Sequence, residues 1–269
     1  MPRPLLALQD IVISSDSEVR AQIYELLNGS EPLIEECLDI LSSILNEMKK
    51  IDRPLELDTE LSVLGVRVYN DVKAIFTLIN SGYILQSMMI ERDLVEIRVL
   101  ADYFIHNEEK VKEWRKAKTI KERRLFEISK IKGHTPEGKE WKEVFDHFSG
   151  YLHPNNLGSV VYAREKEYFG YSLYLGGIFN PAAIGNEFQL ALALLLNIVG
   201  SYIEWYGDKL KLPQEISERF EKLNSATDIF CKKLEKKAKT LETEFRKEID
   251  KKRLSRDQII ETWRILDKM

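Results

Sequence analysis

Apolar side chains recur at three- and four-residue spacing through almost the whole chain, a rhythm that restricts it to packed helices. Leu33, Cys37, Ile40, Leu41, Ile44, Leu45 and Met48 form one stripe. Leu61, Leu64, Val68, Val72, Ile75, Phe76 and Ile79 form a second. Residues at such offsets share one helix face, and that face must be buried against a neighbour. At 269 residues the chain is long enough to bury a sizeable core. The expected fold is all-α, an extended bundle of long helices.

Punctuation divides the pattern. Residues 1–16, with Pro2, Pro4 and Ser14-Ser15-Asp16, read as a flexible tail. A first helix runs from about Glu18 to Asn28, and Gly29 ends it because a C-cap favours the left-handed conformation. Ser30 is the candidate cap of the next helix, with Pro32 in its first turn. A third helix starts at Asp58 or Thr59, and Asn80-Ser81-Gly82 breaks it. The fourth, about Tyr83 to Ile105, is apolar on more than one face and is expected at the centre. Residues 107–132 read as one interrupted or two short basic helices ending at Gly133. Thr135-Pro136 opens another to about Leu152, and Pro154-Asn155-Asn156 stops it. Residues 159–177 favour strands, as a small β-hairpin or an irregular segment.

Asn180-Pro181 begins a long apolar helix to about Lys209. Its most apolar stretch, Leu190 to Ile203, is too short to span a bilayer and reads as a core helix. Pro213 opens the last major helix, and Ser255 to Gln258 has capping-box spacing for a short terminal one. Phe220, Leu223, Thr227, Phe230, Leu234, Leu241 and Phe245 recur near a 3.5-residue period, with Lys237 or Ala238 bridging the gap. This seam either packs inside its own bundle or pairs two chains. The organisation is therefore a tail (1–16), a helical bundle (17–210) and a C-terminal helical element (211–269) that is a candidate for dimerisation.

Charge is unevenly spread. Residues 1–60 carry 13 acids and 5 bases, whereas residues 110–132 carry 10 bases and 3 acids. Local positive potential decides whether a polyanion can dock. Arg115, Lys116, Lys118, Lys121, Arg123 and Arg124 are the candidate nucleic-acid contacts, with Trp114 and Phe126 as stacking faces. A solvated helix face is the plainer alternative. Cys37 and Cys231 sit among apolar residues as buried free thiols, which suits a reducing cytoplasm. No signal peptide is read at the start.

Three further groups can carry chemistry. Asp146, Ser149 and His153 share a helix face, ending where the dipole favours a protonated imidazole. A charged His153 can bind phosphate or act as general acid; otherwise it caps the last turn. Arg92 and Glu96 stand one turn apart on the central helix, and Arg98 and Asp102 repeat that spacing. Structural ion pairing is the plainer reading of both. His106, His134, His147 and His153 lack metal-ligand spacing, and no glycine-rich phosphate loop is present. No cofactor and no metal are expected.

Two stretches together resemble a known family. Met89-Ile90-Glu91-Arg92-Asp93-Leu94-Val95-Glu96 is followed by Leu100, Tyr103, Phe104 and Trp114, then by Phe145 to Ser149 and His153-Pro154. This Arg-x-x-x-Glu helix with a Ser-x-x-x-His-Pro helix end resembles all-helical prokaryotic proteins similar to the HEPN superfamily, over about residues 60–205. The resemblance implies a helical, commonly dimeric protein, often a metal-independent ribonuclease of toxin–antitoxin or phage-defence systems. It places His153 in the catalytic role. The family's Arg precedes that His by a short interval, where Phe148, His147 and Asp146 stand here. Arg92 is then the candidate to approach from the neighbouring helix.

Three expectations follow. The first is a cytoplasmic binding module, homodimeric and free of membrane, directed at RNA or a partner protein and centred on His153 with Arg92 and Glu96. The second is a ribonuclease using His153. The third is a homodimeric scaffold built on the last long helix.

Overall fold

The computed structural model describes residues 8–13, 16–135, 137–152, 163–166, 170–175 and 180–251. Six long or medium helices form the bundle: α1 (Asp16–Leu26), α2 (Glu31–Met48), α3 (Glu56–Ile79), α4 (Ile84–His106), α8 (Gly138–Leu152) and α9 (Pro181–Leu210). Three short helices, α5 (Glu109–Lys116), α6 (Ile120–Arg123) and α7 (Ile128–Ile131), connect α4 to α8. Single 3-10 turns at 124–126 and 132–134 separate them. The last helix, α10 (Gln214–Lys251), has 38 residues and runs about 57 Å.

Contacts fix the directions. Met48 of α2 meets Ser62 of α3 and Leu45 lies against Gly65, so these helices run antiparallel. The Tyr202 hydroxyl donates to the Leu61 carbonyl at 2.7 Å while Phe188 packs on Phe76 at 5.2 Å, so α3 and α9 also oppose. Ser87 meets Glu187 and Arg98 meets Asn197, so α4 and α9 run parallel. Arg92 over Phe145 and Arg98 over Trp141 set α8 antiparallel to α4.

One continuous core joins α1 to α10, with Ile40, Ile44, Val68, Leu94, Phe104, Phe148, Leu195 and Leu234 buried. At Gly65 an added Cβ would lie 2.6 Å from Leu45 Cδ2 and 3.2 Å from the Tyr202 hydroxyl. Only a glycine lets α2 and α9 close on α3 there. Asp58, 2% exposed, ties two helix ends together. It accepts from the Leu55 N–H at 3.0 Å, from the Tyr206 hydroxyl at 3.1 Å, and from Lys209 Nζ.

The stripes of α2 and α3 are buried as read from the sequence, apart from half-buried Leu33. Gly29 has φ +89, as the cap demands. Several expectations change. Ser30 is itself helical in φ and ψ, so its hydroxyl makes no cap bond. Residues 8–13, expected within a flexible tail, form a strand, β1 (Leu8–Ile13). It runs parallel to β3 (Gly170–Leu175), which pairs antiparallel with β2 (Ala163–Lys166). A β-hairpin thus lies within 163–175 and gains a third strand. Cys37 is buried, and burial pushes its thiol up to about 12, but Cys231 is only half-buried.

Helix α9 has the length read from the sequence, but its apolar run is longer than the Leu190–Ile203 stretch judged too short to span a bilayer. Pro181–Gly207 is long and apolar enough to cross a membrane by length and composition. Its apolar side chains Ile184, Phe188, Leu192, Leu195 and Val199 are nonetheless buried in the bundle. The seam of α10 is also occupied. Phe230 packs on Phe188, Phe220 lies against Gly200, and Leu223, Leu234 and Ala238 are buried. Of the two readings of that seam, its own bundle takes residues 220–241. The Phe245 side chain and the expected helix at 255–258 lie outside the described residues.

Candidate functional site

Helices α4 and α8 supply most of the sequence-derived site. Their antiparallel packing sets the Arg92 guanidinium 4.5 Å from the centre of the Phe145 ring. Arg92 Nη2 lies 4.0 Å from Glu96 Oε1, and each side chain is about two-fifths exposed, 41% and 40%. Burial raises the Glu96 carboxyl above its ordinary range. Arg92 and Arg67 oppose that shift, while Asp93 and Glu127 add to it. Ser149 stands one turn beyond Phe145 on the same face. Its Oγ is buried without a hydrogen-bond partner among the described residues. Asp146 is not drawn into this group: it is exposed and pairs with Lys142. His153 lies outside the described residues. The structure therefore brings Arg92 of the Arg92–Glu96 pair onto Phe145 of α8, one turn before Ser149.

The basic segment is an exposed connector. Arg115, Lys116, Lys118, Lys121, Arg123 and Arg124 all face solvent. Arg115 and Lys116 end α5, where the helix dipole favours cations. The three acids of the segment are already engaged. Glu113 pairs with Lys110 at 2.7 Å and Glu127 with Arg124 at 3.7 Å. Glu122 accepts from the Lys118 N–H at 2.8 Å and the Thr119 N–H at 2.9 Å. Those backbone bonds lower its carboxyl below the ordinary range, and the Thr119 hydroxyl completes a capping box. Glu122 thus fixes the loop without neutralising its lysines.

The aromatic residues expected as stacking faces are engaged within the fold. Phe126 is buried, and Trp114 packs between Phe104 and Phe126 with Nε1 donating to Glu60 Oε1 at 2.8 Å. Their contribution is to anchor the connector on α4. The exposed apolar residues among the cations are instead Ile120, 76% exposed, and Leu125, 64% exposed.

A third polar group is one that sequence reasoning passed over as a whole. Along α4, Ile84, Met88, Glu91, Val95, Arg98 and Asp102 alternate four- and three-residue steps, and all are buried. Glu91 is 0% and Glu187 3% exposed, and the Ser87 Oγ donates to Glu187 Oε1 at 3.2 Å. Arg98, 8% exposed, sits between the Trp205 ring at 5.0 Å and the Trp141 ring at 5.7 Å. Its Nε donates to Asn197 Oδ1 at 3.1 Å, and Nη1 lies 3.6 Å from Asp102 Oδ1. His106 reaches the same carboxylate at 3.6 Å. Burial raises the Asp102 carboxyl, against the pull of Arg98 and His106. A signal for this group exists in the sequence: three charged residues stand at core positions of an apolar helix.

Among the described residues no group of three or more His, Cys, Asp and Glu side chains is set to hold a metal ion. A cavity of about 600 Å³ opens elsewhere, beside Tyr24, Leu27, Ile34, Leu38, Lys73 and Phe76, and includes no sequence-derived site residue. Comparison with protein-family models, with curated proteins and with solved structures gives no match.

Proposed function

We propose that this chain is a HEPN-like helical binding protein of the prokaryotic cytoplasm, working in a defence or stress context, and that RNA docks on its basic connector. One observation carries this reading. Six exposed cations cluster on a segment whose three acids are held by Lys110, by Arg124 and by backbone N–H groups. Such a surface attracts phosphates, and each phosphate it neutralises releases counterions. Single strands suit it, because the connector offers flexible side chains and no rigid groove-reading helix. The protein works as a homodimer in this reading, through a surface other than residues 220–241 of α10.

The test is fluorescence anisotropy with a labelled single-stranded RNA over a salt series. Affinity that falls steeply with salt, and weakens when Arg115, Lys116, Lys118 and Lys121 become Gln, supports the proposal. Binding that ignores both salt and these substitutions sinks it and turns the search to a partner protein.

A ribonuclease is the second reading, favoured by Arg92 of α4 stacked on Phe145 of α8, which stands one turn before Ser149, whose buried hydroxyl has no partner among the described residues. His153 would be the acid or base and Arg92 the phosphate partner. Cleavage that survives chelator and is lost in His153→Ala supports it. Cleavage unchanged in that variant removes it.

A further inference from the structure

Two carboxyl groups meet inside the bundle, on different helices. Glu91 of α4 and Glu187 of α9 are essentially inaccessible to water, and Ser87, one turn before Glu91 on α4, meets Glu187 at 3.2 Å, which sets the two carboxyls beside one another. Glu187 accepts from Ser87, whose hydroxyl also contacts the Ile84 carbonyl at 2.7 Å. A hydroxyl has one proton, so it serves Glu187 or the carbonyl at a given moment. Neither Glu91 oxygen meets a donor among the described N–H and hydroxyl groups. Two ionised carboxylates in this position would face both desolvation and mutual repulsion.

A positive charge or a proton has to resolve the clash, and among the described residues no neighbouring cation is turned to the pair. On α4, Arg92 turns to Glu96 and Phe145, and Arg98 to Asp102 and Asn197. On α3, Arg67 is held by Asp71 and Asp93, and Lys73 lies over Tyr69. On α8, Lys142 pairs with Asp146. On α10, Arg219 is held by Glu36 and Asp39 of α2, and Lys237 by the Glu25 carbonyl of α1. On α5, Lys110 pairs with Glu113, and Lys130 of α7 is exposed. A divalent metal ion needs about four or more ligands, and two carboxyls with one hydroxyl fall short.

We propose that Glu91 and Glu187 hold a single proton between them at neutral pH, forming an acid–carboxylate hydrogen bond that latches α4 to α9. The pair is a buried proton-binding site one residue from Arg92, and its occupancy sets how tightly the central helix is seated. Burial raises both carboxyls, Glu91 well above its ordinary range, and the nearby Glu187 carboxyl pushes Glu91 further in the same direction. The folded chain therefore keeps a proton that the unfolded chain releases above about pH 4.3. Stability contributed by the latch is complete below that pH. It declines as pH rises towards the folded-state value, and it levels off above it.

The direct test is infrared spectroscopy of the full chain at neutral pH, reading the carbonyl stretch of a protonated carboxylic acid. Wild type is expected to show this band where exposed carboxyls are fully ionised, and Glu91→Gln to lack it. The amide introduced by Glu91→Gln keeps the shape of the side chain and donates to Glu187 without a titratable proton. The urea midpoint of that variant is therefore expected to fall less than that of wild type between about pH 5 and about pH 8. The wild-type spectrum tests the proposal even if the variant does not fold. An absent band in wild type, an unchanged band in Glu91→Gln, or one equivalent of bound divalent metal in wild type each overturns it.

Discussion

The α4–α9 seam and the α5–α7 connector both concentrate charge, and they treat it in opposite ways. In the seam, Arg98 is sealed from solvent and answered by Asp102, Asn197 and two indole rings, while Glu91 is sealed beside Glu187 and its charge is cancelled by the proton proposed to lie between them. In the connector, Arg115, Lys116, Lys118 and Lys121 stand in solvent with no ion pair to an acid among the described residues. Buried charge has to be matched because desolvation is expensive; exposed charge has no such requirement. Matched charge thus marks architecture, and unmatched charge marks the surface on which the proposed RNA binding rests.

Breaking the seam should have the largest effect. Arg98→Ala leaves the buried Asp102 carboxylate with only the part-exposed His106 beside it and is expected to destabilise the fold by about 3 kcal/mol, read by urea denaturation. Gly65→Ala forces Leu45 and Tyr202 apart and should lose about 1–3 kcal/mol in the same assay. Tyr206→Phe removes a donor from buried Asp58 and should cost about 1–2 kcal/mol, Lys209 and the Leu55 N–H remaining. Arg92→Ala, at a half-exposed stacking contact on Phe145, should lose only about 0.5–1 kcal/mol. The connector closes the series. Each Gln substitution at Arg115, Lys116, Lys118 or Lys121 should change stability by less than about 0.5 kcal/mol. Equal destabilisation of Arg98→Ala and the connector variants would erase the distinction between the two regions.

Periodicity and punctuation make the helices legible. Gly29, Pro181 and Pro213 mark ends close to where α1, α9 and α10 stop or start. Local signals are weaker where a distant partner decides the outcome. β1 exists as a strand beside β3, more than 150 residues away, and the tail carries no strong pattern of its own. Trp114 reads as a stacking surface until Phe104, Phe126 and Glu60 enclose it. Exposure of the six connector cations follows from their density, because so many like charges cannot be buried together. Glu91 falls on the buried stripe of α4, so its burial is readable. The identity of its counterpart is not, since nothing in sequence brings position 91 to position 187. Arg92 and Ser149 are legible as face positions, while the stacking of Arg92 on Phe145 needs the packed helices.

Salt-dependent RNA binding tests the central claim most directly. The quantity to measure is the slope of log affinity against log salt, for wild type beside the quadruple Gln variant of Arg115, Lys116, Lys118 and Lys121. Unmatched connector charge predicts a steep wild-type slope that flattens by about 0.7 for each phosphate the variant no longer neutralises, with the folded state unchanged. A flat wild-type slope, or one identical in the variant, would contradict it.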